Sequence, residues 1–314
     1  MSQLTLEQAK DEMTESYGVK SIHVPVMLQE VMEYLRPREG NIFLDGTIGL
    51  GGHAESILEA IGEKGRLIGI DRDQNALSLA EKRLEKYAKQ CNFIYGNFRD
   101  FDNISKDLGI RNLDGILLDV GVSSLQLDNP DRGFNIRSEG PLDMRMDQNG
   151  QISAYDLVNS LSENEIATIL KDFGEERFAF RIARVIVENR HKKPIESTRE
   201  LRHLIMRAMP YRKKREKIHP ATRSFQAFRI AVNRELEALD KALDKCVDML
   251  KPSGRIGVIC FHSLEDRIVK VKFRDFAKEG KLRLIVKKPL RPSEKEMDLN
   301  PRCRSARLRI AERI

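Results

Sequence analysis

The sequence predicts an α/β protein: a doubly wound parallel sheet interrupted by an inserted all-helical domain. Three observations predict it. Short apolar runs alternate with helical patterns between Asn41 and Asp119, the spacing of β-α-β units. A glycine-rich turn, Gly46-Thr-Ile-Gly-Leu-Gly-Gly-His53, follows the first run. Then 135 residues separate Asp119 from Arg255, where the next apolar run begins. A single crossover helix would need roughly 40 residues, so that gap holds additional structure.

Asn41–Asp45 reads as the first strand and Ala54–Ala60 as the helix after the turn. Arg66–Asp71 is the second strand, Asn75–Tyr87 a helix, Cys91–Tyr95 the third strand and Gly115–Asp119 the fourth. Gly121–Gly150 is loop-like. Ser162-Glu-Asn-Glu165 and Ser197-Thr-Arg-Glu200 have the capping-box spacing, in which hydroxyl and carboxylate satisfy free amides at a helix start. Phe225–Leu250 reads as one long helix returning to the sheet, Pro252–Gly254 as a turn and Arg255–Phe261 as the fifth strand. Leu282–Val286 and Ala306–Ile310 close it. The expected division is residues 1–124 and 223–314 for a discontinuous sheet domain and 125–222 for the insertion.

The 314 residues are 40% hydrophobic and 33% charged with 11 prolines, which excludes disorder and a fibrous repeat. No stretch approaches the roughly 18 apolar residues of a membrane span. The first twenty residues carry Glu7, Asp11, Glu12 and Glu15 and no apolar segment, unlike a secretory signal. Cys91, Cys246, Cys260 and Cys303 lie far apart, so neither a metal cluster nor a disulfide framework is expected, and a reducing cytoplasm suits them. Charge is segregated: Arg177–Lys217 and Arg267–Ile314 each carry net +10 in a chain of net +7, which leaves the remainder at −13. Two basic blocks on an acidic chain favour a polyanionic partner, most simply nucleic acid.

The glycine turn lets a backbone approach a ligand at a helix start, and Asp71 stands where an acid binds ribose hydroxyls. Two cofactors fit: a nicotinamide dinucleotide or S-adenosylmethionine. Asp45 at the first strand end favours the second, because its carboxylate would repel a pyrophosphate. Asn97-Phe98 offers an amide and an aromatic face to an adenine, and Asp119 ends the fourth strand, where ligands gather. Gly121-Val-Ser-Ser-Leu-Gln126 lacks the Pro-Pro-aromatic pattern common at this position in amino-methyltransferases. His262 and Ser263, directly after the fifth strand, are expected to face the same crevice. Tyr211–Lys217 reads as a phosphate-contact loop or a solvated one. No residue order supports a hydrolase triad or a metal site.

Together, several blocks resemble the bacterial 16S ribosomal RNA cytosine-N4 methyltransferases. They include His23-Val-Pro-Val-Met27, Asp45–His53, Asp119-Val-Gly-Val-Ser-Ser124, Arg132-Gly-Phe134 and Pro141-Leu-Asp-Met-Arg-Met-Asp147. Phe225-Gln-Ala-Phe-Arg-Ile230, Val232-Asn-Arg-Glu235, Phe261-His-Ser-Leu-Glu-Asp-Arg267 and Pro289-Leu-Arg-Pro-Ser293 continue the series to the carboxyl end. The resemblance implies a class I, Rossmann-like methyltransferase sheet, S-adenosylmethionine as donor, and a decoding-centre cytosine of the small ribosomal subunit as acceptor. It implies cofactor contacts at Gly51, Gly52, His53, Asp71, Phe98, Asp119 and Gln126. On that footing Asp143, His262 and the backbone at Ser123 are expected to border the target base. Arg145, with Arg212, Lys213, Lys214 and Arg215, is expected to hold phosphates. A homodimer is compatible with the sequence. A nicotinamide-dependent dehydrogenase, a non-catalytic RNA-binding or assembly protein, and a DNA amino-methyltransferase stay open as other readings.

Overall fold

The computed structural model describes residues 25–210 and 219–314. Five strands, β1 (Ile42–Asp45), β2 (Arg66–Asp71), β3 (Cys91–Tyr95), β4 (Leu113–Asp119) and β5 (Leu250–Cys260), pair in parallel. β6 (Leu282–Leu284) and β7 (Arg307–Arg313) complete a seven-stranded sheet in the order β3-β2-β1-β4-β5-β7-β6, with β7 antiparallel to both neighbours. The order reverses between β1 and β4, which opens a crevice at the carboxyl edge.

The helices that cover the sheet before the insertion are α1 (Leu28–Leu35), α2 (Gly52–Ile61), α3 (Gln74–Arg83) and α4 (Phe101–Asp107). Central strands are apolar throughout because both faces are covered. Alternation divides their side chains: Phe43, Leu67, Leu117 and Ile259 join the core under α1, α2 and α3, whereas Leu44, Ile68, Ile116 and Val258 face the other layer.

The insertion begins with α5 (Ser124–Asp128) and continues through α6 (Ala154–Ser160), α7 (Glu163–Gly174), α8 (Ala179–Arg190) and α9 (Thr198–Ala208). Both expected capping boxes form, at Ser162/Glu165 and Ser197/Glu200, and two more form at Ser123/Gln126 and Ser153/Asp156. These helices bury Val158, Ile166, Leu170, Ile182, Ile186, Leu201 and Ile205 in a core of their own.

The single return helix expected over Phe225–Leu250 is two helices: α10 (Thr222–Asn233) and α11 (Glu235–Met249). Arg234 between them is left-handed, φ 49°. The break has a packing reason. Phe225 and Phe228 belong to the insertion core, whereas Leu239 and Leu243 belong to the sheet core, and one straight axis does not serve both. The chain passes from the helical core to the sheet core at Arg234. α12 (Ser263–Lys278) follows β5.

Part of the C-terminal basic block is spent inside the fold. Arg307 and Arg309 on β7 donate to Asp266 at 2.9 and 2.7 Å, and Arg255 on β5 donates to Glu312 at 2.9 Å. No helix among the described residues is long and apolar enough to cross a membrane.

Gly115 pairs with Phe43 across β4 and β1, and a Cβ at Gly115 would lie 2.1 Å from the Phe43 ring. Gly115→Ala is expected to cost about 1–3 kcal/mol, read as a lower urea midpoint at unchanged slope.

Candidate active site

A cavity of about 220 Å³ lies at the carboxyl edge of the sheet. It is lined by the Gly46–Leu50 turn with Asp71, Phe98 and Asp119, and by Ser123, Phe261, Glu265, Arg229 and Glu235 from later segments. The turn is built from tight approaches. A Cβ at Gly46 would lie 2.5 Å from Leu118, and Gly49 and Gly51 are left-handed with φ 53° and 78°. Asp45 is buried behind the turn, where its Oδ1 accepts from the Thr47 amide at 3.1 Å. Thr47 Oγ1 in turn accepts from the Asp119 amide at 2.6 Å, which fixes the end of β4 against the turn. Asp71 accepts from the amides of Gly49 and Asp73 at 2.9 and 2.8 Å.

Carboxylates dominate this crevice. Burial, with Asp71 nearby, pushes the Asp45 carboxyl up to about 7. Burial also raises Asp71. Burial, Asp45 and Glu265 hold Asp119 well above the ordinary range. Asp119 Oδ1 is buried without a hydrogen-bond partner, and its Oδ2 lies 3.9 Å from His53 Nδ1. Asp119, unlike Asp45, faces the cavity. Asp45, to which the sequence argument assigned the repulsion of a pyrophosphate, lies behind the turn.

Beside the cavity, one buried carboxylate joins three segments. Asp73 Oδ2 accepts from Gln126 Nε2 at 2.8 Å and from Arg132 Nη1 at 2.7 Å, while Oδ1 caps α3 at the Asn75 amide. Arg132 Nη2 continues to the carbonyls of Arg145 and Met146 at 3.0 and 2.8 Å. Asn233 clamps the same loop, accepting from the Met146 amide at 2.8 Å and donating to the Met144 carbonyl at 2.7 Å. The Asp-Met-Arg-Met-Asp segment is thus a buried brace, with Met144 left-handed at φ 61°.

Arg229 grips Glu235 with two bonds of 2.9 and 2.8 Å. Glu265 Oε2 accepts from the Phe261 and His262 amides at 2.8 and 3.2 Å. Burial pushes the Glu265 carboxyl up, but His262, Arg229 and the Phe261 amide together outweigh it and hold it below the ordinary value. Glu235, His262 and Glu265 bring one ligand atom each within 4.8 Å, a spacing open to a cation. Arg229 already supplies positive charge there.

The expected residues divide. Asp71, Phe98, Asp119, Gln126 and Ser123 line the cavity. Gly51, Gly52 and His53 pack behind it: Gly51 faces Leu84, Gly52 faces Pro25, and His53 Nε2 meets the Val26 carbonyl at 2.9 Å. The Ser123 hydroxyl is engaged as the cap of α5, accepting from the Gln126 amide at 3.2 Å.

Three expectations are corrected. Asp143 does not line the cavity, because Arg145 chelates its carboxylate at 2.9 and 2.6 Å. Arg145 is correspondingly spent, its Nη1 donating to the carbonyls of Gln148 and Gly150 at 3.1 and 2.7 Å, so it is no free phosphate contact. His262 caps α12, its Nδ1 accepting from the Glu265 amide at 3.5 Å, and does not reach the crevice surface; Ser263 donates instead to Glu175 at 3.2 Å. Arg212, Lys213, Lys214 and Arg215 lie outside the described residues.

Sequence reasoning assigned no role to Asp73, Arg132, Arg229, Glu235 or Glu265. Asp73 had the signature of a helix cap, and the others stood inside blocks quoted only for their resemblance.

A reversed sheet order with one antiparallel strand between β5 and β6, a glycine turn after β1 and an acid after β2 define a class I methyltransferase. Its methyl donor is S-adenosylmethionine. The sequence profile of the MraW methylase family matches residues 20–314, and the chain belongs to that family. Among relatives, the ribosomal RNA small subunit methyltransferase H of Halothermothrix orenii is 47% identical over 93% of this chain and 98% of its own. The protein of the same name from Geotalea uraniireducens is 50% identical over 93% and 98%. A SAM-dependent O-methyltransferase structure from Thermotoga maritima aligns with TM-score 0.44 at 12% identity, covering 96% of this chain and 70% of that one.

Two outcomes follow from this geometry. Asp45 ionises near 3.8 when solvated and near 7 when folded, so its penalty is absent below pH 4 and grows as pH rises to 7. Against Asp45→Asn, the parent should lose roughly 4 kcal/mol across that window, measured as the difference in thermal midpoints at each pH. Arg132→Met strands the Asp73 carboxylate and should cost about 3–5 kcal/mol, with part recovered in the Asp73→Asn/Arg132→Met double variant by urea unfolding.

Proposed function

We propose that the protein methylates N4 of a cytosine in the decoding centre of 16S ribosomal RNA, acting on the small ribosomal subunit. The observation that carries the reading is Asp119 Oδ1, a buried acceptor without a partner at the end of β4, on the lining of the cavity beside the glycine turn. Full-length relatives named for small-subunit ribosomal RNA support the substrate class.

The residues present fit the donor. An acid-lined crevice suits a cationic sulfonium and ammonium, and a Cβ at Gly49 would meet only the Thr47 carbonyl, at 3.8 Å, which leaves room beside the turn. Asp71 would take the ribose hydroxyls, Phe98 the adenine face, and the Gly46–Leu50 turn the remainder. When bound, S-adenosylmethionine supplies an electrophilic methyl group.

The chain's own task is to orient the amine and remove its proton. The cytosine amine is a weak nucleophile because its lone pair is delocalised into the ring. An acceptor on one N–H localises that pair toward the methyl carbon. N4 would give up a proton on methylation, and Asp119, whose carboxyl burial raises, would receive it and pass it to solvent. The base must leave its stack to enter the crevice. The inserted helical domain, with exposed Arg177, Arg181 and Arg207, would hold the surrounding phosphates.

Labelled S-adenosylmethionine with small subunits lacking the modification, followed by nucleoside mass spectrometry, tests the reading, with naked RNA and DNA in parallel. N4-methylcytidine at one site, formed only on subunits, is the expected product. Donor binding without product would retire the acceptor and favour an RNA-binding assembly role, and tight NAD binding would revive the dehydrogenase.

A further inference from the structure

We propose that Arg229 and Glu265, together with Asp119, read the Watson–Crick edge of the target base, admitting cytosine and rejecting uracil. The inference rests on the cytosine-N4 reading and adds the residues that choose the base.

All three side chains line the cavity, Asp119 beside the glycine turn and Arg229 and Glu265 from α10 and α12. Arg229 is fixed there because Glu235 holds its Nε and Nη2 at 2.9 and 2.8 Å. Its Nη1 makes no hydrogen bond among the described residues, so a pre-oriented donor edge is left over. Glu265 is fixed as well, since its Oε2 serves the Phe261 and His262 amides. Glu265 Oε1 is buried with His262 Nε2 2.9 Å away, and an oxygen that takes one donor there keeps a second lone pair for another. Asp119 Oδ1 is a second buried acceptor without a partner. The site therefore presents one carboxylate oxygen without a partner, a second with a lone pair to spare, and one guanidinium nitrogen without a hydrogen bond among the described residues.

Cytosine complements that pattern. Its N4 carries two donors, and its N3 and O2 are acceptors. One N4 hydrogen on Asp119 Oδ1 and the other on Glu265 Oε1 would satisfy both carboxylates, while Arg229 Nη1 would donate to N3 or O2. Uracil inverts the edge: O4 is an acceptor and N3–H a donor. It would set O4 against both buried carboxylates, which stay without the two N–H donors of N4, and only O2, common to both bases, would still accept from Arg229. Sites that hydrogen-bond a substrate reject the mismatched analogue strongly, so discrimination of at least about 100-fold is expected. The same three groups argue against a divalent cation at Glu235, His262 and Glu265, because Arg229 lies within the cluster and compensates its charge.

The test uses the full chain with S-adenosylhomocysteine present, so that binding is read without turnover. Saturation-transfer NMR with CMP and UMP should show a clear preference for CMP in the parent. Glu265→Gln keeps an oxygen for the Phe261 and His262 amides but turns the other arm into a donor. It should abolish the preference and lower kcat on subunits at least 100-fold, with affinity for S-adenosylmethionine by calorimetry changed less than about threefold. Arg229→Lys keeps the charge and loses the fork, and should lower the CMP signal in the same way. An unaltered CMP preference in both folded variants overturns the proposal. So does a loss of donor affinity that parallels the loss of turnover, which would assign these residues to the donor half. If the parent itself forms no N4-methylcytidine, the functional reading fails; if it does and Glu265→Gln matches it, only the present inference fails.

Discussion

The site depends on one buried carboxylate. Asp73 follows β2, caps α3, and receives both the Gln126 amide of α5 and the Arg132 guanidinium. These partners come from parts of the chain 53 and 59 residues away. Neither would remain in place through local propensity alone. A charge in a low-dielectric interior is tolerable only when it is fully paired, so the geometry is close to all-or-none. From Arg132 the constraint passes to the Met144–Met146 backbone, and Asn233 relays it to the end of α10. The cavity lining, the brace and the returning helix therefore share one electrostatic anchor.

What was legible in the sequence follows from range. Strands buried on both faces announce themselves as apolar runs, and Arg66–Asp71 and Cys91–Tyr95 have the bounds read from the sequence. Capping boxes are confined to four residues, which is why Ser162 and Ser197 were readable. The break at Arg234 was not, because no glycine or proline marks it and its cause is a division of Phe228 and Leu239 between two cores. Side-chain roles were least legible. Asp143 and His262 sit at suggestive positions, yet partners within three residues claim them: Arg145 in one case and Glu265 in the other. Glu265 and Arg229 meet in the cavity from distant segments, and spacing carries no trace of that.

Charge segregation likewise has two meanings in the fold. On β7 the arginines answer buried acids, Arg309 to Asp266 for example, and serve cohesion. On α8 and α9 the cations Arg181 and Arg207 face solvent. Net charge per segment does not separate these cases, because burial decides whether an arginine's field extends beyond the protein or ends on a neighbour.

The position of β7 bears on how the protein is made. A chain leaves its synthesis machinery amino end first, yet the sheet order places β7 between β5 and β6. Until Arg307–Arg313 has emerged, β5 lacks its second neighbour and β6 has none. Arg255 and Asp266 also wait unpaired for Glu312 and Arg309. The nascent polypeptide thus carries an open, adhesive sheet edge from the emergence of β5 until β7 follows and seals it.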